Sequence, residues 1–169
     1  MGLKRLFAGW RSSYVRDVSA SSRKTSSGCV FCELANEAPS STSGVVALGD
    51  TCFCVLNAYP YGSGHLLVLP RRHDAHLGGL SDAEAEELWA MARKAVGAVE
   101  LAYGPDGVNL GANFGEAAGA GIPAHLHLHV LPRWAGDTNF MTSIAETRVL
   151  PESLAQTFER VSEAWPRVK

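Results

Sequence analysis

His125-Leu126-His127-Leu128-His129-Val130-Leu131 alternates without a break between imidazole and aliphatic side chains. A period of two is the mark of a β-strand, so a strand is expected over 125–131. In it His125, His127 and His129 share one face at intervals of about 6.5–7 Å, and Leu126, Leu128 and Val130 share the other. Burying three imidazoles costs desolvation that aliphatic residues would avoid, which points to chemistry rather than packing. Two chemistries use such a row. The histidines can bind a catalytic metal with more distant partners, or one can be a nucleophile whose neighbours hold substrate and proton. The segment His125 to Trp134 contains no acidic residue, which a metal hydrolase would usually keep close. The preceding loop, Gly115 to Gly121, offers glycines whose backbone amides can approach an anion. The combination favours phosphate and covalent catalysis.

Outward from this stretch the chain reads as strands, then a helix, then strands. Val45 to Leu48 and Cys52 to Leu56 form a hairpin across a turn at Gly49-Asp50, and His65 to Pro70 is a third apolar strand after the turn Tyr59-Pro-Tyr-Gly-Ser-Gly64. Connections this short favour antiparallel pairing. Ser81-Asp-Ala-Glu84 is a capping box opening a helix over about 82–103. Leu88, Met91, Ala92, Ala95, Val96 and Val99 recur at spacings of three and four and make its core stripe, while Glu84, Glu86, Glu87, Arg93 and Lys94 make a solvated face. Gly104-Pro105 ends the helix, Val108 to Phe114 is a fourth strand, and a last helix from near Pro151 packs through Leu154, Phe158, Val161 and Trp165.

The 169 residues, 46% hydrophobic and 19% charged, suit one domain that buries roughly two-thirds of its unfolded surface. Its longest apolar run, around His65 to Pro70, is far short of the ~20 residues a membrane-spanning helix needs. A net charge of −2 excludes a generally basic nucleic-acid binder. That charge is unevenly placed, because residues 1–24 carry +5 and the remainder −7. Residues 1–27, Arg- and Ser-rich and poor in acid, can be an organelle transit peptide, but Leu6, Phe7, Trp10, Tyr14 and Val15 are hydrophobic anchors that favour a basic arm, with 28–169 as the folded domain. With no secretory pattern, a cytoplasmic protein is expected.

Four cysteines outside a secretory context do not read as a disulfide framework. Cys52 and Cys54 share one face of a strand and pack as small core residues. Cys29-Val-Phe-Cys32 is a knuckle whose two thiolates can reach one tetrahedral zinc, although the pair by itself leaves metal binding open.

The signature His125-Leu-His127-Leu-His129-Val-Leu131 resembles that of the histidine triad (HIT) superfamily. So do the block Leu56-Asn57-Ala-Tyr-Pro-Tyr-Gly-Ser-Gly-His65-Leu-Leu-Val-Leu-Pro-Arg-Arg-His73, and Asn113 with Ala118-Gly119. Pro132-Arg-Trp134-Ala-Gly-Asp137-Thr-Asn139-Phe-Met is similar to the bacterial branch of diadenosine tetraphosphate phosphorylases and hydrolases. The resemblance covers roughly residues 6 to 145. It implies an α+β fold, a five-stranded antiparallel sheet with a long helix and a C-terminal helix, in a homodimer whose two sheets join. Further, it implies a structural zinc on Cys29, Cys32, His73 and His125, with His76 a rival to His73.

The same resemblance makes His127 the nucleophile that attacks the α-phosphorus of a nucleotide and forms a nucleotidyl-histidine. His129 would contact phosphate or leaving-group oxygen, and His65 would support the triad from the neighbouring strand or serve a purely structural role. Asn57 falls where relatives hold ribose and Asn113 where they hold phosphate; each can also be a turn-stabilising side chain. The loop Gly119, Ala120, Gly121, Ile122 would meet the phosphates, but it lacks the serine that relatives often carry there. Substrate-borne magnesium is expected with a polyphosphate. The implied reaction is nucleotidyl transfer or hydrolysis on dinucleoside polyphosphates such as diadenosine tetraphosphate. Its alternatives are a phosphoramidase or acyl-adenylate hydrolase, a non-catalytic nucleotide-binding module, and a metal-dependent hydrolase.

Overall fold

The computed structural model describes residues 28–137 and 151–168. The basic arm and the Asn139-Phe140-Met141 end of the last motif lie outside the described residues. Five strands, β1 (Val45–Leu48), β2 (Cys52–Leu56), β3 (Leu66–Pro70), β4 (Gly107–Ala112) and β5 (Leu128–Arg133), form one sheet in the order β1-β2-β3-β5-β4. Every neighbouring pair is antiparallel, so the sheet has the architecture expected from the sequence.

The helices are α1 (Val30–Leu34), α2 (Asp82–Tyr103) and α3 (Leu154–Ala164). Ser81 and Glu84 make the reciprocal capping box, and Gly104 ends α2 in the left-handed conformation at φ 54°. Alternation then sorts the strands between two layers. Cys52, Cys54, Leu56, Leu66, Val68, Leu126, Leu128 and Val130 face α2 and α3, where Leu88, Ala92, Ala95 and Val99 are buried. On the other face Val45, Phe53, Val55, Leu67 and Leu69 pack with Cys29, Phe31 and Ala35 of the N-terminal segment. Each fully buried Leu or Phe of these layers contributes about 1.5–3 kcal/mol, more than the roughly 1 kcal/mol of a cap, so the stripe holds α2 and the cap sets where it starts.

Three expectations are corrected. First, β5 starts at Leu128 rather than His125. Its register with β3 pairs Val68 with Leu128 and, carried two residues further, would set Pro70 opposite Leu126. Pro70 has no N–H to give, and the Leu126 N–H is taken by the Asp74 carbonyl at 2.7 Å, so the ladder stops there. The β4 partner ends at the same level, at Ala112 instead of Phe114. Second, the α2 charges are not all solvated: Glu84 is buried, bonding the Ser81 amide and Arg72. Glu87 accepts from the amides of Asp50 (2.8 Å) and Cys52 (3.0 Å) in the β1–β2 turn. Third, Leu154 is exposed rather than packed; α3 begins with a capping box between Ser153 and Gln156 and buries Val161 as expected, together with Thr157 and Ala164, while Phe158 and Trp165 pack against the same core.

Candidate active site and metal cluster

Although the ladder ends at Leu128, the alternation of side chains does not. His125 and His127 are buried, and Leu126 still faces α2. Three anchors hold the bend that precedes β5. The Leu126 amide bonds Asp74, His125 Nε2 lies 2.9 Å from the Pro70 carbonyl, and His127 Nδ1 lies 2.8 Å from the carbonyl of His125. A carbonyl can only accept, so each bond places the ring proton. His125 is protonated at Nε2 with its Nδ1 lone pair free for a ligand, and His127 is protonated at Nδ1 with its Nε2 lone pair free to attack.

The His125 lone pair faces sulfur. Its Nδ1 is 3.5 Å from Cys29 Sγ and 3.7 Å from Cys32 Sγ, and His73 Nδ1 is 3.3 Å from Cys32 Sγ. The four donor atoms of Cys29, Cys32, His73 and His125 lie within 4.8 Å of one another. Two sulfurs and two imidazole nitrogens at this spacing can hold a metal ion, and the Pro70 carbonyl supplies the outer hydrogen bond that orients a histidine ligand. Burial and the adjacent Cys29 push the Cys32 thiol up to about 11, the state a bound cation would reverse. His76 stands outside this cluster; its amide bonds the Asp74 carboxylate at 2.9 Å. Arg72 bonds Glu84 Oε1 at 2.9 Å and Asp74 Oδ2 at 2.8 Å, so the residues on either side of His73 are tied to the start of α2.

At the other end of the row the hydrogen bonds again have one direction. The Tyr61 amide donates to His65 Nδ1 at 3.0 Å, and Asn57 Nδ2 lies 3.3 Å from the same atom. His65 Nδ1 is therefore an acceptor, and its proton sits on Nε2, 2.9 Å from His129 Nδ1. His129 must then carry its own proton on Nε2, a buried atom with no partner among the described residues. Burial holds both His127 and His129 below the usual histidine range; His129, with His127 beside it, falls to about 4. Both rings are neutral at neutral pH, one offering a lone pair and the other an N–H.

Asn57 takes the Tyr59 amide on its Oδ1 at 3.0 Å, an Asx turn that leaves Nδ2 toward His65. Asn113 follows the last residue of β4, and continuing the register sets it level with His127. In the loop, the amides of Gly119 and Ala120 bond Glu116 and Gly115, while Gly121 and Ile122 keep uncommitted amides among the described residues. Gly119 is left-handed at φ 92°, Ala120 is buried, and Ile122 packs on the second core layer. Trp134 meets Tyr103 edge-on at 6.1 Å. Nothing in the sequence marks Tyr61, Phe31 or the Pro70 carbonyl. Phe31 meets His125 at 5.5 Å and His127 at 5.4 Å, and Tyr61 stacks on His129; a CxxC spacer and a turn residue carry no signal of such contacts.

A family model described as the HIT domain matches residues 38–136. The AP-4-A phosphorylase of Mycobacterium tuberculosis is 38% identical over 168 residues, 98% of this chain and 86% of that protein. Among solved structures, a Zn-bound histidine triad family protein from Mycobacterium smegmatis superposes with a TM-score of 0.67 at 26% identity, covering 85% of this chain and 96% of that one. A hypothetical histidine triad nucleotide-binding protein from Sulfolobus tokodaii strain7 gives 0.67 at 25% identity, covering 83% and 94%.

Proposed function

This chain belongs to the HIT domain family, and from that premise we propose that it is an enzyme that cleaves dinucleoside polyphosphates such as diadenosine tetraphosphate through a nucleotidyl-His127 intermediate. The observation that carries the reading is the His127 Nδ1–H bond to the His125 carbonyl, which leaves Nε2 as a neutral nucleophile. Attack forms a bond from Nε2 to the α-phosphorus and breaks the bond from that phosphorus to the departing polyphosphate oxygen. His129 Nε2–H is the donor available to the charge growing on oxygen. His65 acts through His129, fixing its tautomer. A second acceptor, inorganic phosphate or water, then breaks the P–N bond and frees His127. Asn57, Asn113 and the amides of Gly121 and Ile122 support the reading as ribose and phosphate contacts.

Cys29, Cys32, His73 and His125 would hold zinc. With four protein donors and no open position the ion would be structural, fastening the N-terminal segment to the sheet, and the chemistry of His127 does not pass through it. Magnesium would come with the polyphosphate. We read the working unit as a dimer joined through the edge strand β4, which leaves Leu110 exposed. Among the described residues no helix is long and apolar enough to cross a membrane.

The test incubates the protein with diadenosine tetraphosphate, with and without inorganic phosphate, beside His127→Ala. ADP plus ATP that requires phosphate identifies phosphorolysis, and AMP plus ATP in both conditions identifies hydrolysis. His127→Ala loses about 10⁴-fold or more in rate and forms no adduct visible by mass spectrometry. Absence of turnover in the wild type would overturn the dinucleotide assignment and turn the search to phosphoramidates and acyl-adenylates.

A further inference from the structure

Tyr61 lies between Pro60 and Gly62 in the turn joining β2 to β3, and it touches both members of the His65–His129 pair. Its ring stacks on His129 at a centroid distance of 5.7 Å and an interplanar angle of 19°, and it meets His65 at 4.7 Å. The ring is half exposed, whereas His65 is buried. Tyr61 is thus the outer cover of the hydrogen bond that gives His129 its tautomer. The turn holds it there. The Asn57 side chain caps the turn's start, and left-handed Gly64 (φ 75°) packs so tightly that an added Cβ would sit 2.7 Å from the Tyr103 ring.

From this geometry we propose that Tyr61 is a positioning residue for His129, with its amide setting the direction of the His65–His129 hydrogen bond and its ring keeping water from that bond. This rests on the reading of His129 as the N–H donor to the leaving oxygen. The physical argument is one of competition. In water the two neutral tautomers of an imidazole differ little, and a solvent molecule can replace either partner of the pair. Inside a dry, low-dielectric contact the same bond is stronger, and the tautomer it selects dominates. Any residue except proline supplies the amide, but only a flat ring covers both imidazoles. The other groups facing His129 do not duplicate the cover, since its cross-strand neighbours are Leu67 on β3 and Gly111 on β4. Among the described residues, His65, His127 and Tyr61 itself are the titratable groups in contact with it.

The experiment is histidine-selective ¹⁵N NMR on the full chain, without substrate, for wild type, Tyr61→Ala and Tyr61→Phe, alongside steady-state kinetics on diadenosine tetraphosphate. The wild type shows His129 as a single tautomer protonated at Nε2. Tyr61→Ala shows averaged ¹⁵N shifts at His129, with His127 unchanged, and kcat falls about tenfold while KM stays within about threefold. Tyr61→Phe restores both spectrum and rate, because the ring is retained. A wild-type His129 spectrum in Tyr61→Ala overturns the proposal, whatever the kinetics. So does loss of the His127 and His129 signals together, which would mean a collapsed site. A protein with no turnover on the dinucleotide still yields the spectra, so failure of the functional reading is told apart from failure of this one.

Discussion

Each imidazole of the row is defined by what its second nitrogen touches. The carbonyls of Pro70 and His125 act on His125 and His127, and the amide of Tyr61 acts on His129 through His65. His129 also carries a pH consequence. Burial, with His127 alongside, lowers it from 6.5 to about 4, so between those values the unfolded chain binds a proton that the folded chain refuses. Its contribution to stability is therefore intact above pH 6.5, erodes as pH falls toward 4, and levels off below. Urea unfolding from pH 8 to 4 should show wild type losing more stability than His129→Gln over this window; equal slopes would remove His129 as a source. Three histidines on one face were legible from residue types alone. Their protonation was not, because a tautomer depends on partners distant in sequence.

Among the elements, α2 is where the sequence was read most completely, since its cap, stripe and terminator are all local. Ser81→Ala removes the acceptor for the Glu84 amide and should cost about 1 kcal/mol in urea or thermal unfolding. The same substitution should leave the tautomers of the histidine row untouched, which NMR would check. Glu84 and Glu87 show where local reading ended. A carboxylate on a helix looks solvated until a turn from elsewhere brings amides or a guanidinium to it. Arg72 holds Glu84 down at about 2, and against the cost of burial the Thr51 hydroxyl and then the amides of Thr51, Asp50 and Cys52 hold Glu87 below its usual range. The start of β5 is a similar case, since Pro70 on a different strand ends the ladder.

At the scale of the molecule, the Cys29, Cys32, His73 and His125 cluster joins the N-terminal segment, the end of β3 and the entry to β5. If it holds zinc, chelation should lower the thermal midpoint by about 10 °C or more, and Cys32→Ser should do the same and then be insensitive to chelator. Activity should decline only as fast as the fold loosens; immediate loss from a folded protein would instead mean a catalytic metal. The sequence by itself determined the antiparallel strands, the limits of the long helix, the histidine row and the CxxC pair, because periodicity, caps and spacing are properties of neighbouring residues, whereas the two histidines beside that pair came from the family resemblance. Only the tertiary structure decided that His73 rather than His76 completes the cluster, that β5 begins three residues late, and that Tyr61 covers His65 and His129. Apart from the contact of Tyr61 with His65 four residues on, those outcomes rest on contacts between segments tens of residues apart, and no local pattern encodes which of two candidate side chains a distant strand will meet.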